Sequence, residues 1–508
     1  MTSSTPRRRV TVAAAAVAAV LTTLSLAGCT FGPKEQPEAA QQRIDFPNVY
    51  AQEIAWDECD ESFGMPEPFA QMLADRGAPV ESFRCAMIDV PLDWNDPGND
   101  ETAKLAISHL PSPSSSAPST LFSNPGGPGK SGISHAYALT ATEGFAEVYA
   151  AYDLIGIDPR GVGLSTPVAC DTTSTIKSVN VAVCADANPI AHSMGTSQAA
   201  RDMELVRTLI DAEQFNYLGY SYGTVLGATY SSLFPEQVGR MLLDGAIDSE
   251  WSSLAGNFDQ AIAIVGALTQ LFADCGTLYE PASCPISDPD GLNDIKIQLD
   301  AAPLVAADGT SVPGDTFVYY LISGLYQADA GREIVLDVSS RALAGEQMAI
   351  DFLAAQMASG SPKVDMSGTL VKCHSFPADP DIPGFLAHIE DAEIPALLGG
   401  PGVTDAVLRE HVDLSCFALA ESGDDITDSF TGPDGEPVLV IGITGDHATP
   451  YARSESLVRQ LGNAHLLTLQ GNGHGASFQG RSTCADDAAT AYLLTGALPA
   501  DDLICTDD

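Results

Sequence analysis

Basic residues are scarce in this chain. Its 508 residues hold 23 Lys and Arg against 67 Asp and Glu, a formal net charge of −44 at pH 7. Such an acidic surface repels phosphate backbones, which argues against nucleic acid as a partner. Most of these acids read as solvated surface charge. No Cys-x-x-Cys pair occurs and the histidines are scattered, so no metal-ligand spacing emerges and no metal is expected. The phosphate-loop pattern G-x-x-x-x-G-K-[ST] is missing as well. Nothing calls for a cofactor, and no internal repeat is visible.

What is present begins with an address. Arg7-Arg8-Arg9 precedes an apolar run, VTVAAAAVAAVLTTLSLAG, and then Cys29. A basic start followed by an apolar stretch and a small-residue site is the pattern of a secretory signal. Leu26-Ala27-Gly28-Cys29 resembles a bacterial lipobox, which implies cleavage before Cys29, lipidation of that cysteine, and a place on the outer face of the cytoplasmic membrane, with release to the envelope or medium as a variant. The arginines also fit a twin-arginine export route. Residues 1–28 are then the signal peptide and 29–50 a polar tether. Setting Cys29 aside leaves ten cysteines, an even number that suits disulfides in an exported protein. Pairing neighbours would join Cys59 to Cys85, Cys170 to Cys184, Cys275 to Cys284, Cys373 to Cys416 and Cys484 to Cys505. The count alone leaves the connectivity open.

Length suits one large domain with an insertion, or two domains. Short apolar runs bounded by turn residues read as strands: CAMIDVPLDW, KLAISHL, Ser119–Gly127, Tyr152–Gly161, FNYLGYS, Gly239–Asp248, Pro437–Asp446 and Ala464–His474. Helical segments lie between them. In SQAARDMELVRTLIDA, Met203, Val206, Leu209 and Ile210 fall about one turn apart and mark a buried face. Strands alternating with helices predict an α/β fold with a mostly parallel central sheet. Between Asp248 and about Glu410 the text turns helical, which predicts an inserted helical cap over 249–410, with the core formed by 51–248 plus 411–508.

Chemistry concentrates at Gly219-Tyr220-Ser221-Tyr222-Gly223. A strand runs into Ser221 and a helix runs out, the context of a G-x-S-x-G nucleophile elbow. A neutral hydroxyl needs a base, and the base needs an orienting acid. In this architecture both follow late strands, in the order Ser, acid, His. Asp446 ends one late strand and His474 follows the next, in a glycine-rich loop. Asp244, at an earlier strand end, is the rival acid. His447 adjoins Asp446 and is expected to point elsewhere. His135, His192, His374, His388 and His411 follow no late strand, and His465 begins one. An oxyanion needs two donors. The backbone N–H of Tyr222 is one, and the Gly127 N–H in the Asn124–Gly132 loop is the other. Arg160, in Asp158–Ser165, reads as a brace for these loops.

Together, NPGGPGxSG at Asn124–Gly132, DPRGxGxS at Asp158–Ser165, GYSYGT at Gly219–Thr224, LDG at Leu243–Gly245 and GxGH at Gly471–His474 resemble the secreted tripeptidyl aminopeptidases of actinobacteria. Those are α/β-hydrolases related to proline iminopeptidase. The resemblance runs from about Trp56 to Cys505, and the family's C-terminal segment pairs its two cysteines, here Cys484 and Cys505. It implies the α/β-hydrolase fold and removal of short peptides from a free N-terminus, with a cap carboxylate pairing the substrate ammonium. Asp248 and Glu250, at the cap entry, are weak candidates for that carboxylate and equally plain as solvated acids. Two departures stand out. The acid motif D-P-V-T-P is here Asp446-His447-Ala448-Thr449-Pro450, and Ser375 stands where an acid often follows Cys373 by two residues. The same triad also serves acyl esters, so an envelope esterase is the alternative.

Overall fold

The computed structural model describes residues 37–508 apart from 115–118, 173, 175, 287–290, 328, 359–364, 377–380, 420–422 and 424–428. The expected signal peptide, Cys29 and residues 29–36 of the tether lie outside the described residues. From Glu38 onward the chain is folded, which corrects the extent of the expected tether. Glu38–Asp45 and Pro47–Tyr50 are helices. Their composition is polar, yet Ala39, Gln42, Phe46 and Val49 recur at helical spacing and are buried. Gln42 donates to the Arg201 carbonyl at 3.0 Å, so its amide enters the core with a partner.

One ten-stranded sheet organises the molecule. Its strands are β1 Asp57–Glu58, β2 Arg84–Pro91, β3 Thr102–Leu110, β4 Ser119–Asn124, β5 Tyr152–Ile157, β6 Phe215–Tyr220, β7 Val238–Asp244, β8 Val438–Gly445, β9 Ala464–Asn472 and β10 Ile504–Thr506. The spatial order is β1-β2-β3-β5-β4-β6-β7-β8-β9-β10. Pairings from β5 through β10 are parallel, and β1, β2 and β3 are antiparallel. All eight strands expected from the sequence are present. The parallel ones read as continuous apolar runs because each faces two cores. Phe215, Tyr217, Met241, Leu243, Val438 and Val440 enter one. Leu218, Tyr220, Leu242, Leu439 and Ile441 enter the other. Alternate side chains of one strand point to opposite faces, which is why both cores draw on the same segments.

Among the described residues between β7 and β8, the regular elements are helices apart from one short antiparallel pair, Leu304–Val305 with Ser311–Val312. Leu271, Phe272, Phe317, Leu321, Leu336 and Leu353 give this region a core of its own. One element departs from the expected boundary. Helix Ser367–Ser375 places Leu370, Val371 and Cys373 in the sheet's core. All five neighbouring cysteine pairs are bonded, and Cys373–Cys416 ties this helix to the segment leading into β8.

Candidate active site

Ser221 sits between β6 and helix Tyr222–Leu233 with φ 54° and ψ −126°. A non-glycine residue in that region stores roughly 1–3 kcal/mol of strain, which the surroundings must hold. The Ser221 N–H donates to the Asp244 carbonyl at 3.0 Å, and Thr224 returns its N–H and Oγ1–H to the Ser221 carbonyl at 2.8 and 2.7 Å. The glycines are steric necessities. A Cβ on Gly223 would lie 2.7 Å from the Asn124 carbonyl oxygen. One on Gly126 would lie 2.8 Å from Ser221 Cβ and 2.9 Å from the Tyr222 nitrogen. The Asn124–Gly132 loop therefore lies directly against the Ser221–Tyr222 peptide, as an oxyanion loop requires. Within it, the Gly126 N–H is committed to Asn124 Oδ1 at 2.9 Å.

Asp446 and His474 meet at the ends of β8 and β9. Asp446 Oδ2 lies 2.9 Å from His474 Nδ1. The carboxylate also accepts the N–H groups of Ala448 and Thr449 and the Thr449 hydroxyl, each at 2.8 Å. Burial alone would raise its pKa; the His474 ring and these donors hold it below the usual carboxylate range. Burial works on His474 in the opposite sense, and the Asp446 charge and hydrogen bond overcome it, so the imidazole pKa is raised. Close approach at Gly245 (φ +63°) completes the seat, since a Cβ there would lie 2.9 Å from His474 Cε1.

Asp244, the rival acid, does something else. It is fully buried and accepts the Ala476 N–H at 3.0 Å, and the Ser477 N–H and hydroxyl at 2.6 Å each. It clamps the loop two residues past His474. Burial is the main influence on its own pKa and raises it. His447 is buried, with its ring 4.5 Å from Tyr326 and 6.3 Å from His474, nearer the site than its neighbour position suggested. Neither of its nitrogens has a hydrogen-bond partner among the described residues, so it takes no part in the Asp446 contacts.

Asp158 and Arg160 are braces. Asp158 accepts the Ser131 hydroxyl at 2.5 Å and the Leu164 N–H at 2.9 Å, joining the glycine loop to the turn beside it. Arg160 is buried on Asp202 with contacts of 2.6 and 2.8 Å. Asp248 is also spoken for, by Arg453 at 3.0 Å, and Glu250 is exposed at 3.7 Å from the same guanidinium. Ser375 is fully buried; it accepts the Thr196 N–H at 2.9 Å, and Thr196 Oγ1 meets the Tyr222 hydroxyl at 2.6 Å. Sequence reasoning passed over the Thr449 hydroxyl, whose only signal was its place three residues after Asp446. It also passed over Arg481, which holds the Asp507 carboxylate at 2.7 Å and the Gly475 carbonyl at 3.3 Å beneath the His474 loop. A cavity of about 280 Å³ opens on His474, lined by Tyr326, Gln327, Arg332, Gln479, Arg481 and Asp507.

A family model described as the α/β hydrolase fold matches residues 120–273, the segment of Ser221 and the glycine loop. The chain has the α/β-hydrolase fold. A second model, described as TAP-like protein, matches residues 404–505, the segment of Asp446 and His474. Serine protease Hip1 of Mycobacterium tuberculosis is 29% identical over 465 residues, covering 82% of this chain and 86% of that one. Tripeptidyl aminopeptidase of Streptomyces coelicolor is 26% identical over 493 residues, covering 89% and 86%. Carboxylesterase B of Mycobacterium tuberculosis is 29% identical over 510 residues, covering 93% and 94%. With this fold and these relatives the chain is a serine hydrolase.

Proposed function

We propose that this serine hydrolase is an exported, lipid-anchored aminopeptidase that releases short N-terminal peptides through Ser221, His474 and Asp446. The observation that carries the reading is the Asp446 carboxylate on His474 Nδ1 at 2.9 Å, at the same sheet edge as the strained Ser221 turn. Asp446 fixes the ring and its tautomer, leaving Nε2 to take the Ser221 proton as Oγ attacks the carbonyl carbon. The Tyr222 and Gly127 N–H groups receive the oxyanion; with the Gly126 amide bound to Asn124, Gly127 is the loop's better donor. The tetrahedral adduct collapses, His474 passes its proton to the leaving amine, and the acyl-enzyme forms. Water, deprotonated by the same ring, then releases the peptide acid and Ser221.

Peptide rather than lipid is favoured by the polar lining of the cavity at His474, which includes the side-chain amides of Gln327 and Gln479. Lipidation at Cys29 would hold the enzyme at the outer membrane face. The second reading, an acyl-ester hydrolase, is favoured by the relative named carboxylesterase B. A free-amine tripeptide anilide, its N-acetylated form and a short acyl ester, each assayed with the wild type and Ser221→Ala, separate the two. Cleavage of the free-amine anilide alone, lost in the variant, is the expected result. Turnover of the ester without either anilide moves the enzyme to the second reading.

A further inference from the structure

Lys372 is a half-buried cation in an acidic protein. With 67 acids to 23 bases, an ammonium ordinarily finds a carboxylate. Lys372 has none. It is half-buried, donates one hydrogen bond to the Asn257 side-chain oxygen at 2.7 Å, and lies 4.9 Å from the centroid of the Trp251 ring. Asp413, the described acid whose charge reaches it, is bound to Lys177 at 2.5 Å. Burial, with Lys177 adding to it and the Asp413 charge partly opposing, pulls the amine down to about 8, so at neutral pH the charge remains without an ion-pair partner of its own among the described residues.

The second observation lies in the ring beneath it. Trp251 is 9% exposed, and its Nε1–H has no acceptor among the described residues. A buried N–H is ordinarily satisfied, and one left open beside an ammonium with spare donors makes a pair of donors that an oxyanion complements.

Both donors sit beside the nucleophile turn. The Trp251 ring is 6.5 Å from that of Tyr222, the residue after Ser221. Lys372 rides on helix Ser367–Ser375, whose first turn rests on the glycine loop: a Cβ on Gly129 would lie 2.9 Å from Ser367 Oγ, and one on Gly368 2.6 Å from the Pro128 carbonyl oxygen. A ligand held here is placed relative to the same loop that receives the oxyanion.

We propose that Lys372 and Trp251 form an anion subsite that takes a carboxylate of the substrate, so that the enzyme prefers short peptides bearing one. This rests on the peptidase reading above and narrows its substrate class. The carboxylate comes from an acidic side chain or from a free C-terminus. Two matched pairs distinguish the sources: Ala-Glu-Ala-anilide against Ala-Gln-Ala-anilide, and the peptide Ala-Ala-Ala-Phe against its C-terminal amide.

The readout is the ratio of kcat/KM for the acid over its neutral partner, which does not depend on how much of a variant folds. In the full-length wild type the ratio exceeds one in the pair that carries the true source. Lys372→Met lowers it about ten- to hundred-fold, the worth of a charge-assisted hydrogen bond, and Lys372→Arg retains most of it. Trp251→Phe, which keeps the ring and removes the N–H, lowers it by a smaller factor. Equal ratios in the wild type and Lys372→Met for both pairs overturn the proposal. Calorimetric binding of the same four peptides to Ser221→Ala gives the ratio without turnover. If no peptide is hydrolysed, the peptidase reading fails, and the binding ratios still decide the subsite.

Discussion

Replacing Asp244 by asparagine separates two carboxylates that the sequence leaves as rivals. Asp244 accepts two backbone N–H groups and one hydroxyl from Ala476 and Ser477, at 2.6 to 3.0 Å. Asparagine keeps an oxygen at the Oδ2 position, which all three donors reach, and turns its NH2 group toward the Ala476 N–H alone. One shared hydrogen bond and the charge assistance of the others are lost, roughly 1.5–3 kcal/mol in all, while the desolvation of a buried carboxylate is relieved. The net expectation is a loss of about 1–2 kcal/mol of stability. His474 keeps Asp446, so the chemistry survives with a displaced ring, and kcat/KM falls by about 10²-fold. Asp446→Asn leaves the clamp intact and the tautomer wrong, and kcat falls by about 10⁴-fold. Urea denaturation and steady-state kinetics on the two variants side by side test this. The Asp244 charge also helps raise the pKa of His474, so the acid limb of Asp244→Asn moves to lower pH. Full loss of activity without loss of stability in Asp244→Asn would refute the assignment and return that residue to the triad.

The raised pKa of His474 sets the pH dependence of the wild type. A base must be neutral, so kcat/KM drops as pH falls through a value above the ordinary 6.5; a midpoint at or below it contradicts the Asp446 pairing. That same shift stabilises the fold below the unfolded-state pKa and is lost as pH rises through the folded one. Gly126→Ala drives a Cβ to within 2.5 Å of the Tyr220 carbonyl at φ +92°, so activity on any substrate falls at least about 100-fold, read from kcat. Arg160→Met strands Asp202 in the core and costs about 3–5 kcal/mol by urea midpoint, part of which Arg160→Met with Asp202→Asn recovers.

The strands were legible because each carries apolar side chains on both faces, a signal that does not depend on distant partners. The Ser221 turn was legible for a related reason: Gly219 and Gly223 mark a crossing of backbone too tight for side chains. The choice between Asp244 and Asp446 was not, since both end strands and only the third dimension shows which one faces His474 Nδ1. Helix Glu38–Asp45 was missed because its buried face rests on Ala39 and Gln42, residues that read as solvent-exposed until Arg201 supplies a partner. Helix Ser367–Ser375 was grouped with the cap for want of any local sign that its contacts lie with the sheet. Lys372 and Trp251 are 121 positions apart in the chain and become neighbours only through that packing.

The central claim is that Ser221 is the nucleophile of the Asp446–His474 pair. A fluorophosphonate reacts with an activated serine and leaves a stable adduct, so mass spectrometry of the digested, labelled protein reads it directly. The account predicts one adduct, on the peptide containing Ser221, with activity lost in step with labelling and no adduct in Ser221→Ala or His474→Ala. An adduct on another serine, or full activity in the labelled protein, would contradict it.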